Sequence, residues 1–393
     1  MRTVAVEDHW PEYGTIVIRD APGVDPAPRP LRGVLLLGEH DVDAQPGGTI
    51  ARAGDAWSQA SARDARHRVR LEAHDAPLPL DDGWDEVVET PYHANTGSVM
   101  LTTVLHSEVY SDRPLRLGPP GLYRVRVSCR RTPPEIPGLA ASKGDLWRMQ
   151  FWATSGPHEP PLWLSRSRPA VPPPLTGWET SLGLPSQEVL HAVRVAAAAG
   201  DATEEQIAAA YHPWSSSSGD WGAPLSDDLS EFAVQLGVPA PTTRREVLPF
   251  LVAAGLVVAW TSGGVTRYQL STKPPRADEV VRLPAEQAAA LRRQDAFHRY
   301  TRLAADLAAV AVWSPGQTVS ETLEQLAERL LAPAAEIGQA VGFGVERGLL
   351  SVRGKDAFTA VPRPPLQPDS GSIVREGMRL RGKEDHPWSG GLP

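Results

Sequence analysis

The stretch "RPAVPPPLTGW" (168–178) divides the chain more sharply than any other feature. Proline fixes φ and has no amide hydrogen, so this run can neither pair inside a sheet nor continue a helix. It acts as a semi-rigid spacer, and the chain has a different periodicity on each side of it. Before it come short β-branched or aromatic runs: "YGTIVIRD", "RGVLLLG", "RHRVRLEAHD", "WDEVVETPY", "GSVMLTTVL", "GLYRVRVSCR" and "LWRMQFWAT". Gly, Pro, Asp and Asn clusters bound each run, the spacing of an all-β sandwich. After it, apolar residues recur at helical intervals.

The clearest strand is "GLYRVRVSCR" (121–130). With a period of two, Tyr123, Val125, Val127 and Cys129 fall on a core face, and Arg124, Arg126, Ser128 and Arg130 on a wet one. With Arg131 these arginines form a basic stripe, a candidate surface for an acidic protein or a nucleic acid. The alternative is a solvated strand face neutralised by cross-strand carboxylates such as those of "DDGWDEVVE". Trp84, Trp147 and Trp152 fit as sandwich core anchors. Trp178, Trp214, Trp221 and Trp388 lie in loop-like segments, where exposed aromatics favour interfaces.

In the helical half, "SQEVLHAVRVAAAAG" (186–200) closes on Gly200, and "TEEQIAAAYH" opens on Thr203 as N-cap. "TRRE" (243–246) has the form of a capping box, and Pro249 is expected to bend the helix that follows. That helix runs to Gly255-Leu256, after which "LVVAW" and "TRYQL" make a hairpin about "TSGG". A second copy follows: "AFHRYTRLAADLAAVAV" (296–312), "ETLEQLAERLL" (321–331), a helix beginning at Pro333, Gly348-Leu349, and a hairpin about Gly354-Lys355-Asp356. Helices ending in Gly-Leu, strand, turn, strand outline a winged helix-turn-helix. The expected chain is multidomain: an all-β sandwich (1–168), a Pro-rich linker (169–186), winged helices at 187–275 and 286–362, and a disordered tail (363–393).

A winged helix raises the question of DNA. In the usual mode the helix before the wing enters the major groove. The first copy offers Arg244 and Arg245 there and Arg267 on the wing, side chains able to clasp guanine or phosphate. Against this stand Glu246 and, just upstream, Asp227, Asp228 and Glu231, with which the arginines could instead form surface pairs. The helix of the second copy starts with Glu336 and has no basic residue before Arg347. The net charge is −8, and no segment has the basic excess that drives counterion release from DNA.

Motifs for catalysis are lacking. There is no P-loop, no G-x-S-x-G, and no H-x-H or H-E-x-x-H among the 11 histidines. His67, His74, His93 and His106 lie on β segments that could converge. One cysteine excludes an intrachain disulfide, and its core-facing position makes it an inert thiol. "GFG" (342–344) inside a helix pattern reads as a close-packing or kink site. No catalytic, cofactor-binding or metal-binding residue is assigned. The polar start "MRTVAVEDHW" and the lack of a long apolar run make a cytoplasmic, soluble, non-membrane protein the expectation.

Three segments, "GWDEVVE" (83–89), "LGPPGLYRVRVSCR" (117–130) and "LWRMQFWATSGP" (146–157), together resemble the ComJ family of nuclease-inhibitor-like β-sandwich proteins known from bacterial competence. The resemblance covers the N-terminal two-fifths of the chain. It implies a sandwich fold and a protein partner, with no inhibitory residue to carry over. The resulting expectation is a non-catalytic regulatory protein. The sandwich recognises a partner through Arg124, Arg126 and Arg130, and the winged helices serve as docking or DNA-associated modules. The alternatives are a DNA-binding transcription regulator using Arg244, Arg245 and Arg267, and a nuclease inhibitor or immunity-type protein acting through the sandwich.

Overall fold

The computed structural model describes residues 1–11, 14–21, 52–54, 56–63, 65–102, 114–133, 143–156, 159–212, 220–353 and 357–361. The expected strand "RGVLLLG", Trp214, Trp388, His106, the Gly354-Lys355-Asp356 turn and the tail lie outside them. The chain is mixed α/β and divides into two compact units. One combines residues 1–132, 143–173 and the chain from Ala296 onward, and the other holds Pro174–Asp295.

Among its described residues the first unit begins with eleven strands: β1 (Arg2–His9), β2 (Thr15–Asp20), β3 (Arg52–Ala53), β4 (Trp57–Ser61), β5 (His67–His74), β6 (Glu86–Ala94), β7 (Ser98–Thr102), β8 (Leu115–Arg116), β9 (Gly121–Arg130), β10 (Leu146–Ala153) and β11 (Leu162–Arg166). They form a six-stranded sheet in the order β1-β5-β10-β9-β6-β11 and a five-stranded sheet in the order β3-β4-β2-β7-β8. Pairing in the larger sheet is antiparallel except for β5 with β10. Period-two alternation sets its inner face: Val125, Val127 and Cys129 of β9 meet Trp147, Met149 and Phe151 of β10 and Leu71 of β5. Ile16, Ile18, Val99 and Leu101 of the smaller sheet enter the same core. Trp147 is a core anchor as expected.

The second unit contains α1 (Trp178–Ser181), α2 (Leu184–Ala196), β12 (Ala202–Thr203), α3 (Glu204–Ala210), α4 (Ser230–Leu236), α5 (Val247–Ala253), β13 (Val257–Ser262), β14 (Val265–Leu270) and α6 (Ala277–Val280). The following helix α7 (Ala285–Trp313) contains the division between the units. After it come β15 (Thr318–Val319), α8 (Leu323–Leu330), α9 (Ala334–Glu346), β16 (Leu350–Arg353) and β17 (Ala357–Ala360). Residues 303–313 of α7 are buried all round: every one but Asp306 is apolar, and such a segment has to be enclosed. Leu303, Leu307 and Val310 share the core of the N-terminal sheets with Leu326, Ile337 and Phe343.

The sequence repeat is a structural repeat. Helix, short strand, capped helix, helix and hairpin occur as α2-β12-α3-α5-β13-β14, with α4 inserted, and again as α7-β15-α8-α9-β16-β17. The three-stranded sheets have matching orders, β12-β14-β13 and β15-β17-β16. The capped helices start alike: the Thr203 hydroxyl accepts from Gln206 N–H, the Thr322 hydroxyl from Gln325 N–H, and each glutamine returns the bond to its threonine's amide.

The two Gly-Leu pairs are helix stops. Gly255 and Gly348 have φ of +74° and +67°, in the left-handed region that glycine enters without strain. Leu256 N–H then donates to Leu251 C=O at 3.0 Å and Leu349 N–H to Gly344 C=O at 2.7 Å, which is the Schellman arrangement.

Three local expectations are corrected. Thr243 does not cap a helix with Glu246. The Glu246 carboxylate instead accepts from the Thr242 amide at 2.8 Å and its hydroxyl at 2.7 Å, and the helix starts at Val247. Pro249 therefore lies in the first turn, where backbone amides have no helical acceptor, and it removes no hydrogen bond. Trp178 lies on no contact surface. It is almost fully buried, with its ring edge-on to Phe232 and Phe250.

Candidate interaction surfaces

The face of the six-stranded sheet opposite the core is polar, and its register brings unlike residues into line. Glu72, Gln150, Arg126 and Glu89 are successive cross-strand partners on β5, β10, β9 and β6. This row is bonded along much of its length. Gln150 donates to Glu72 at 2.8 Å, and Arg126 donates through Nε to Glu89 at 2.9 Å. Arg124 also reaches Glu89, at 3.4 Å. His74 closes the row on the Glu72 carboxylate at 3.0 Å. Burial alone would push Glu72 up, but the bonds from Gln150 and His74 and the charge of Arg70 hold it below the usual carboxylate range.

The wet face expected for Arg124 and Arg126 is therefore corrected: they are 6% and 5% exposed. Chain segments outside the sheet cover them. Arg126 Nη1 donates to the carbonyl of Leu78 at 2.7 Å, and Arg124 to the carbonyls of Glu159 and Pro160. The expected neutralisation by a cross-strand carboxylate is present in Glu89, but solvent is excluded from it. Of the three arginines only Arg130 is exposed, donating to Gly83 C=O at 2.5 Å. Its guanidinium lies 5.2 Å from the Trp84 ring, and that of Arg148 lies 4.4 Å from the same ring. Trp84 is thus no core anchor. It is half-buried between two cations, and Trp152 is buried on this polar face with Arg126 5.4 Å from its ring.

A second buried network sits at the start of β10. Asp145 receives Arg63 Nη2 at 2.7 Å, Arg131 Nη1 at 2.9 Å and Thr132 N–H at 2.9 Å. Its own N–H donates to His67 Nδ1 at 2.8 Å, while His67 Nε2 faces Arg63 C=O at 2.9 Å. These contacts define a neutral ring protonated on Nε2, and burial holds its pKa below the ordinary value. His67 and His74 lie at opposite ends of β5, so they do not converge. Among the described residues no group of three or more His, Cys, Asp or Glu is placed to hold a metal ion. Burial raises the Cys129 thiol well above its ordinary value.

In the second unit the three arginines have separate environments. Arg244 is 4% exposed and donates to Pro224 C=O at 2.7 Å. Arg245 pairs with Glu204 at 2.5 Å and Arg267 with Asp201 at 3.2 Å. The acids are not the expected Glu246, Asp227, Asp228 and Glu231. Glu246 is engaged by Thr242, and Asp227 accepts from the Ser186 hydroxyl at 2.6 Å.

Beside Arg267 lies a feature the sequence reading missed. The register pairs Val258 with Gln269, Trp260 with Arg267 and Ser262 with Val265, which puts all six on one face of the hairpin. Val258, Trp260 and Val265 are 49%, 37% and 45% exposed. Period-two counting on "LVVAW" would have separated buried Val257 from exposed Val258 and Trp260.

A family of unknown function (DUF6042) matches residues 176–359. The match spans a little under half of the chain, from just before α1 into β17. No curated protein matches the sequence. Two solved structures show weak similarity. One is ComJ, inhibitor of the DNA degrading activity of NucA, from Bacillus subtilis: 10% identity, TM-score 0.23, 39% of this chain and 96% of that one. The other is a crocagin biosynthetic gene J protein, at 13% identity and TM-score 0.20, covering 38% of this chain and 93% of that one. Scores at this level do not establish a shared fold. Among the described residues no helix is long and apolar enough to cross a membrane.

Proposed function

We propose that the chain is a non-catalytic interaction protein in which the N-terminal strands form a β-sandwich and the two helix-and-hairpin repeats are winged helices that dock a partner protein. The observation that carries this reading is the outward face of the first hairpin. Its exposed apolar side chains are Val258, Trp260 and Val265, beside an arginine already paired with Asp201. Tryptophan and arginine on a small apolar patch suit a protein contact, where aromatic anchors supply most of the binding energy. A phosphate backbone calls for bare cations instead. The acid pairs on Arg245 and Arg267 and the burial of Arg244 argue against the regulator reading.

The test is binding of the full chain to random duplex DNA by fluorescence anisotropy at 50 mM and 200 mM salt. No saturable binding at either concentration is expected. Binding that falls steeply between them, and disappears in Arg245→Ala/Arg267→Ala, would overturn docking in favour of DNA association. The docking reading further requires that a partner retained by the wild-type chain be lost by Trp260→Asp and kept by Arg245→Ala.

A further inference from the structure

The second unit contains a cavity of about 310 Å³ between α2 and the base of the β13–β14 hairpin. Trp178, Leu182, Leu190, Leu256, Leu270 and Pro274 supply its apolar wall. The volume lies at the lower end of the range in which small organic ligands bind, and an apolar wall with a few polar groups is their usual setting. No carboxylate among the described residues lines the cavity. Its charged side chain is Arg194, one helical turn after His191 on α2.

Arg194 stands out among the arginines described above. It is exposed to solvent while lining the cavity, so it stands at the mouth. It has no ion pair and no side-chain hydrogen bond among the described residues, although acidic partners engage Arg245, Arg267 and Arg276 in the same unit. An arginine at the edge of an apolar hollow, with no acid to neutralise it, is a receptor for an anion whose body is apolar. The fork of N–H donors fits a carboxylate bidentately, and the hollow takes the hydrocarbon part.

We propose that this cavity binds a small organic carboxylate with an apolar body of bicyclic-aromatic or medium-chain size, held at its head by Arg194. The ligand would sit against Leu256, just before β13, and Leu270, the last residue of β14, at the base of the hairpin with the exposed face. The proposal stands on the cavity and Arg194 alone and does not depend on the partner reading.

The experiment is titration of the full chain with 2-naphthoate and with uncharged 2-naphthalenemethanol by isothermal calorimetry, in the wild type, Arg194→Gln and Leu190→Trp. Saturable 2-naphthoate binding with a Kd below about 1 mM is expected for the wild type. Arg194→Gln should weaken it about tenfold or more, the value of one charge-assisted contact, and change 2-naphthalenemethanol less than twofold. Leu190→Trp should fill the hollow and remove both. The exposed position of Arg194 keeps its variant folded, and an unchanged melting temperature verifies that. Lack of saturable binding by the folded wild type would overturn the proposal, as would 2-naphthoate affinity indifferent to Arg194→Gln.

Discussion

Removal of the Asp306 carboxylate is the sharpest test of how the first unit is held together. Arg166 of β11 and Asp306 of α7 form an ion pair at 2.8 Å, with side chains only 4% and 5% exposed. The Arg166 guanidinium also lies 3.6 Å from the Trp163 ring centroid, and its Nη1 has no hydrogen-bond partner. Nearby Arg302 is held below its ordinary pKa, first by burial and then by the charge of Arg168, while Asp306 opposes this. Asp306→Ala thus leaves a buried cation next to other cations.

Breaking one side of a buried pair costs roughly 3–5 kcal/mol, a large share of the 5–15 kcal/mol typical of a domain. With a urea slope of about 3 kcal/mol/M, the midpoint should fall by more than about 1 M, read by circular dichroism and tryptophan fluorescence. Because Arg166 already leaves one donor unpaired, Arg166→Met/Asp306→Leu should recover most of that loss. A midpoint shift under about 0.3 M for Asp306→Ala, or a double variant no better than the single one, would refute the reasoning.

Three further outcomes follow from the same structure. In urea melts Arg244→Ala should cost about 1–3 kcal/mol, because it leaves Pro224 C=O without its donor. Arg245→Ala and Arg267→Ala, exposed pairs, should each stay under about 1 kcal/mol. Gly348→Ala should lower the thermal midpoint by the equivalent of about 1 kcal/mol for a left-handed residue. Gly255→Ala should cost more, since a Cβ there would stand 2.9 Å from the Pro275 ring. His67, whose pKa is lowered on folding, binds fewer protons folded than unfolded, so its contribution to stability is lost as pH falls below about 6.5. Urea midpoints at pH 7 and pH 5 should therefore differ less for His67→Gln than for the wild type, and equal differences would count against a neutral buried His67.

Much of the architecture was legible because its signals are local. Alternation in "GLYRVRVSCR" requires only a strand with one apolar face, and Val125, Val127 and Cys129 are fully buried on it. Gly-Leu at 255–256 and 348–349 marks a helix stop through backbone conformation alone, and both stops form. "GFG" was legible for a steric reason: a Cβ on Gly344 would stand 2.8 Å from Leu350. Less local is the destination of "AADLAAVAV". A helical segment that is apolar except for Asp306 must be enclosed, but periodicity does not name what encloses it or what pairs with the carboxylate. Here the enclosure is the core shared with the N-terminal sheets.

The burial of Arg124 and Arg126 escaped period-two counting for the same reason at a smaller scale. Period two correctly put Arg124, Arg126 and Arg130 on the face opposite the core, yet a sheet has two faces and either can be covered. Cover came from Leu78 and Pro79 on one side and Glu159 and Pro160 on the other, whose carbonyls accept from Arg126 and Arg124. Pro79 and Pro160 offer carbonyls without amide hydrogens, so two of the four acceptors come without a donor that would need a partner of its own. Glu89 between two arginines, and Glu72 under Gln150 and His74, then offset charge that would otherwise be stranded. A covered face of this kind is a structural interior. It follows that contacts with other molecules must be sought where side chains of mixed character remain uncovered. Among the described residues these include the Trp260 face of the first hairpin, the mouth of the Arg194 cavity, and Trp84 beside exposed Arg130.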